Sequence, residues 1–312
     1  MLEDARRRST ADDLRRCSLV ILLTNPDHTS ALNVRKQLIV RGSISESFEL
    51  NISSLLLSVP RNSKSAPLWR HRRWLLCRQH PSISARTVRD GESAPSGACS
   101  EDEFERTVIP IPNLEKEFTL VGQAAQLYPR NYHAWTHRLY CFRCISRQRD
   151  LGVVDQPEYD DLIDKEYVFV TRWINSHISD TTSYNYLAWL FKLCVPLVSS
   201  RSHLPSSPLP HATSLVRSYP SHEACWMYLR HVYSLASTRG REAWDAENVD
   251  ILTEDGSNDT PTEHLLDSGA SSLTAAELTA HNAKLSYIYM KHFIRFAKHL
   301  KEPESLRPMA EA

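Results

Sequence analysis

The chain has 312 residues, with 37 Lys and Arg balanced by 37 Asp and Glu, so no net field steers it toward nucleic acid or an anionic membrane surface. Only 8 glycines and scattered amphipathic runs point to an all-helical protein, and 7 cysteines at no framework spacing point to a reducing compartment. No apolar run approaches the roughly 20 residues of a membrane span, and Met1-Leu2-Glu3-Asp4-Ala5-Arg6-Arg7-Arg8 has no apolar signal core, so the expected location is cytoplasmic.

Residues 10–23 are expected to form a first helix, stopped at Asn25-Pro26, with residues 29–41 as its partner, ended by Arg41-Gly42. Residues 45–58 form the next helix, Pro60 and Pro67 bracket its loop, and Leu68 to Gln79 follows. Residues 80–107 are polar and rich in breakers, which reads as an insertion loop over about 80–110. Helix resumes over 113–127, with Asn113 as cap and Leu114, Phe118, Val121 and Ala125 as its stripe, and a further helix covers 131–147. Residues 157–177 hold the clearest 3-4 rhythm, through Tyr159, Leu162, Ile163, Glu166, Val170, Trp173 and Ile174, and 181–195 is their partner. A loop over 199–211 precedes a helix over 221–236, and residues 237–271 read as a flexible acidic and polar excursion. Thr274-Ala275-Ala276-Glu277 is a capping box, stapled by Leu273 and Leu278, opening a final helix over 275–300 that caps the array within a C-terminal region 272–312.

The helices are organised around Tyr128-Pro129-Arg130-Asn131-Tyr132-His133-Ala134-Trp135-Thr136-His137-Arg138. Proline ends one helix, Asn131 caps the next, and Tyr132, Trp135 and Arg138 fall on one helical stripe. The pattern recurs around Trp69, with Lys64-Ser65-Ala66-Pro67 before it and Arg72 after it, and around Trp226 in Tyr219-Pro220-Ser221-His222 to Arg230. Weaker copies place Leu32, followed by Arg35, and Tyr184 at the anchor position. Anchors at 32, 69, 135, 184 and 226 give tightest spacings of 37 and 42 residues, the length of one helical hairpin with its loops, and the insertion accounts for the 66 between Trp69 and Trp135. Residues 1–236 are therefore expected to hold about five hairpin repeats. Trp69, Trp135, Tyr184 and Trp226 would pack inside their hairpins, while Arg35, Arg72 and Arg138 link neighbouring repeats.

The motif around Trp135 resembles the repeat of protein prenyltransferase α subunits, Pro-x-Asn-Tyr-x-x-Trp-x-x-Arg, and the likeness, running over about residues 20–235, is nearest to the divergent branch of α subunit repeat-containing proteins. That resemblance implies an α-α superhelix, a right-handed solenoid of helical hairpins, acting as the α-type subunit of a cytoplasmic heterodimer that transfers farnesyl or geranylgeranyl to a protein cysteine. It implies a β subunit that holds the zinc and the isoprenoid pocket, with an isoprenoid diphosphate as substrate, a prenyl-acceptor protein, and no cofactor or metal in this chain. By the same resemblance Lys64, Tyr132 and His133 assist at the leaving diphosphate, and Arg130 and Asn131 bind the diphosphate or the partner. Departures from the repeat are Ser65 and Ala66 in place of Asn and Tyr, and Leu187 and Leu229 where Arg is expected. The alternative is a non-enzymatic helical-repeat scaffold that binds a protein or peptide on its concave face. Cys141-x-x-Cys144 has no second ligand pair at zinc spacing and no βαβ context for redox chemistry, and Arg6-Arg7-Arg8 is too short to mark nucleic-acid binding.

Overall fold

The computed structural model describes residues 2–80, 104–194, 196–252 and 275–301. Among the described residues the protein is all-α, with thirteen helices and no strand. They divide into two compact units, residues Met1–Val168 with Leu193–Ser202, and residues Phe169–Lys192 with His203–Ala312.

The first unit holds α1 (Leu2–Thr24), α2 (Thr29–Val40), α3 (Glu46–Leu57), α4 (Ala66–Gln79), α5 (Ile111–Leu127), α6 (Tyr132–Asp150) and the first part of α7 (Gln156–Ser176). Short polar side chains start these helices by accepting free first-turn N–H groups. His28 Nδ1 accepts from Ala31, Ser45 from Phe48, Ser65 from Leu68 and Asn131 from Ala134. Gly42 and Gly152 end α2 and α6 at φ of 72° and 68°, and the residue after each donates its N–H back five positions, Ser43 to Leu38 and Val153 to Gln148.

Helices pair as hairpins, α1 with α2, α3 with α4 and α5 with α6, and α4 packs in turn against α2 and α6. One core cluster runs through all six, from Leu22 and Leu32 through Leu57, Leu68 and Trp69 to Val121, Ala124 and Ala134. Burying each such aliphatic side chain contributes about 1.5–3 kcal/mol, the term that offsets the cost of ordering the hairpins.

The second unit holds the rest of α7, most of α8 (Thr181–Cys194), α9 (Leu209–Ser218), α10 (Glu223–Leu235), α11 (Thr238–Glu247), α12 (Val249–Leu252) and α13 (Ala275–Lys301). Trp226, Tyr233, Trp244 and Phe293 form an aromatic cluster that joins α10, α11 and α13, with ring centroids 5.5–6.1 Å apart.

Four sequence expectations need correction. Helix α1 begins at Leu2 rather than near residue 10. Helix α5 starts at Ile111 with Pro110 as a cap that makes no side-chain bond, because Pro112 needs no N–H in a first turn, and the Asn113 amide instead faces His80 Nε2 at 3.3 Å. Helix α9 was hidden in a Pro- and Ser-rich stretch: Pro210 sits in its first turn, where proline is tolerated, and Leu209, Ala212, Leu215 and Val216 are buried. The start of the 237–271 stretch is helical, with Ser237 capping α11 and Trp244, 4 % exposed, anchoring it through an Nε1–H bond to Thr213 Oγ1 at 2.7 Å. The capping box at Thr274, residues 81–103 of the insertion and residues 253–271 lie outside the described residues.

Candidate functional site

The anchors share one geometry that the sequence did not announce. Trp69 Nε1–H donates to the Ser63 carbonyl at 2.8 Å, Tyr184 O–H to the Ile178 carbonyl at 2.6 Å and Trp226 Nε1–H to the Pro220 carbonyl at 2.6 Å. Each reaches back six residues, so a buried ring pins the loop that leads into its own helix. Trp135 is equally buried, at 3 % exposed. Ser63 O also accepts from Asn131 Nδ2 at 2.8 Å, which ties the loop before α4 to the start of α6.

The repeat arginines reach neighbouring hairpins through carboxylates whose pairing sequence reasoning missed, although Glu166 stood on the stripe of residues 157–177. Arg35 holds Glu49 on α3, Arg72 holds Glu117 on α5 and Arg138 holds Glu166 on α7, each through two N–H donors at 2.5–2.7 Å. All six side chains are buried. Two of the carboxylates also bond the histidine two residues after the next anchor: His71 Nε2 lies 3.0 Å from Glu49 and His137 Nε2 lies 2.9 Å from Glu117. Burial holds both histidines below the ordinary value, so each is neutral at pH 7 and donates through Nε2–H. Burial alone would raise the Glu117 carboxyl, but the Arg72 charge and the His137 and Arg72 hydrogen bonds outweigh it and hold it at about 2. A signal for these carboxylates was present: Glu49, Glu117 and Glu166 precede the anchors Trp69, Trp135 and Tyr184 by 20, 18 and 18 residues. In the second unit, Leu187 and Leu229 occupy arginine positions and are fully buried, so the charged ladder gives way to apolar packing there.

The residues expected at the hairpin mouths separate into two groups. Lys64 is exposed; its ammonium lies 3.3 Å from the Tyr128 hydroxyl and 4.8 Å from that ring's centroid. Tyr132, 63 % exposed, and half-buried His133 open the first turn of α6 with their rings edge to face at 5.3 Å. Burial, then Arg73 and Arg70, keep His133 below the ordinary histidine value despite Asp27, so it enters neutral chemistry as a hydrogen-bond donor or acceptor rather than as a cation. Arg130 is exposed and takes a left-handed backbone at φ 57°, which turns the chain out of α5 and into α6. Asn131 must be corrected. It is 1 % exposed, its oxygen caps α6 and its amide serves the Ser63 and Ala124 carbonyls, so its side chain is committed to structure rather than to a ligand.

Cys141 and Cys144 are fully buried on α6, and Cys144 donates to the Thr107 carbonyl at 2.8 Å. Burial pushes both thiols up, Cys144 to about 11, and among the described residues no group of three His, Cys, Asp or Glu is placed to hold a metal. The pair offers two ligands where a closed structural zinc site takes four. Cys77, by contrast, is disulfide-bonded, so the expectation of reduced thiols does not hold for it. Among the described residues no helix is long and apolar enough to cross a membrane.

Residues 114–145, which span the pairing of α5 with α6, match the profile of the protein prenyltransferase alpha subunit repeat. The chain is 27 % identical over 281 residues to protein prenyltransferase alpha subunit repeat-containing protein 1 of Homo sapiens, covering 78 % of this chain and 64 % of that protein. The protein of the same name from Danio rerio is 29 % identical over 244 residues, 69 % of this chain and 53 % of that protein. Repeat-containing protein 1-A of Xenopus laevis is 26 % identical over 258 residues, 72 % and 55 % respectively. The chain thus spans between about half and two thirds of the length of these relatives.

Proposed function

We propose that the chain is the α-type subunit of a protein prenyltransferase, joining a β subunit to transfer a farnesyl or geranylgeranyl group to a protein cysteine. The observation that carries this reading is the Asn131–Ser63 hydrogen bond, which fastens the loop bearing Lys64 to the helix start bearing Tyr132 and His133. Those three side chains are thereby presented from one braced ledge, with Asn131 as the brace.

In such a transfer the bond from the isoprenoid C1 to its diphosphate oxygen breaks while a bond to the acceptor sulfur forms. A zinc ion in the β subunit would hold the acceptor cysteine as its thiolate. This chain's part is at the leaving group: the Lys64 ammonium offsets the growing charge on the diphosphate oxygens, and the Tyr132 hydroxyl and neutral His133 donate hydrogen bonds to it. Replacing both Lys64 and His133 by alanine should lower turnover of the assembled enzyme by about a hundredfold or more, the scale of losing preorganised donors. Unchanged turnover would remove them from the site.

A scaffold without transferase activity is the second reading, and Ser65 and Ala66 favour it. Where the repeat elsewhere has Asn and Tyr, Ser65 caps α4 and donates to Asp27 at 2.6 Å, and Ala66 offers no polar group. The allylic diphosphate separates the two: it should raise the melting temperature of an α–β complex and leave a scaffold unmoved.

A further inference from the structure

Glu223, Met227, Arg230 and Ser234 recur at helical spacing along α10 and form one exposed stripe. Beside that stripe, α8, α10 and α13 line a cavity of about 350 Å³, and every lining residue belongs to the second unit. Tyr184 of α8 and Tyr228 of α10, stacked at 4.9 Å, and Phe296 and Leu300 of α13 give it an apolar lining. Met227 lines it too and is 57 % exposed, an unbranched side chain that adjusts to an occupant.

The polar part of the lining selects the occupant. Arg230 makes no ion pair or hydrogen bond among the described residues, and its guanidinium lies 4.3 Å from the centroid of the Phe296 ring. That ring holds the cation at the cavity and lowers the entropy cost of presenting it to an anion. No carboxylate lines the cavity among the described residues. His231, which does line it, is held below the ordinary histidine value by burial and the Lys192 charge, and donates Nδ1–H to Asn185 Oδ1 at 3.1 Å. One cation therefore faces an apolar space, which matches one negative charge on an apolar body. A neighbouring cavity of about 280 Å³ shares Met227 and Arg230 but carries Glu223, which repels an anion, so the first cavity is the favoured one. Its volume lies at the small end of the range for small-molecule sites, about 300–1,000 Å³, and does not admit a helix about 10–12 Å across. Tyr184 and Tyr228 already face each other and Phe296 faces Arg230, which favours a flexible aliphatic chain over a further stacked ring.

We propose that this cavity binds a single-chain amphiphile with one anionic head, of the fatty-carboxylate class, with its head on Arg230 and its chain against Tyr184, Tyr228, Phe296 and Leu300. The site lies wholly in the second unit and does not depend on the transferase reading. The test is isothermal titration calorimetry of the full chain with dodecanoate below its micellar concentration. Saturable one-to-one binding is expected, with none measurable for acetate, which has the head without the chain. Dodecyltrimethylammonium, the same chain with the opposite charge, should bind at least about tenfold more weakly. Arg230→Gln, at an exposed position, should weaken dodecanoate binding at least about tenfold. Lys192→Gln removes an exposed cation of α8 that does not line the cavity and should leave binding within about twofold. Ser234→Phe fills the cavity from its exposed rim and should reproduce the loss with an unchanged circular dichroism spectrum. Absence of saturable binding, or full binding by Ser234→Phe, would overturn the site. Equal losses for Arg230→Gln and Lys192→Gln, or equal affinity for the two dodecyl compounds, would overturn Arg230 as the seat of the head.

Discussion

Glu117 receives Arg72 from the preceding hairpin and His137 from the partner helix of its own hairpin, inside a core that would expel a lone charge. Removing one partner leaves the other charge buried, so Arg72→Ala should cost about 3–5 kcal/mol in a denaturant titration, while Arg72→Met with Glu117→Met should cost much less than the sum of the single changes. The acid limb of stability follows from the same groups. The folded Glu117 carboxyl sits at about 2 against an ordinary 4.5, so its contribution is present above the ordinary value and is lost as pH falls toward 2, on the order of 3 kcal/mol. His71 and His137 are depressed too, so the unfolded chain takes up their protons first and stability also declines as pH falls below about 6.5. A urea midpoint that drops between pH 7 and pH 5 is expected, and a flat profile there would contradict the neutral histidines. The arginines were legible in the sequence because each follows its anchor by three residues. Of the glutamates only Glu166 stood out, on the stripe of residues 157–177; Glu49 and Glu117 did not, because a lone Glu on a helix face ordinarily reads as solvent-exposed until its partner hairpin is in place.

At the scale of the element, each hairpin is set by a ring and a cap rather than by helix propensity. Trp69→Phe keeps most of the apolar volume but drops the bond to Ser63 O, so a loss of about 1 kcal/mol is expected, whereas Trp69→Ala should cost about 3–5 kcal/mol. Gly42→Ala meets no neighbouring atom yet must adopt φ 72°, so any destabilisation it shows, about 1 kcal/mol, reports backbone conformation and not packing. The anchors, the Gly42 stop and most helix bounds were legible because proline, glycine and aromatic spacing act locally. Helices α9 and α11 were not. Their sequences are polar or proline-rich, and what stabilises them is burial of Leu209, Val216 and Trp244, which is a tertiary effect.

For the molecule as a whole, the complete motif at 128–138 pointed to the repeat that residues 114–145 match, and the structure adds how its hairpins are joined: arginine to glutamate to histidine in the first unit, buried leucines and aromatic rings in the second. The candidate site was legible in part. Lys64, Tyr132 and His133 are accessible as the motif suggested, while Asn131 looked like a ligand-binding residue from the motif alone and proves to be the brace. Only pairing of the two loops shows that distinction. The most direct measurement is size-exclusion chromatography of this chain co-expressed with prenyltransferase β subunits, followed by transfer of labelled farnesyl and geranylgeranyl diphosphate to protein in the eluted fractions. A stable one-to-one complex whose prenyl transfer falls with Lys64→Ala and His133→Ala is the result expected. A folded chain that elutes alone from every β subunit, with no label transferred, would contradict the α-subunit reading.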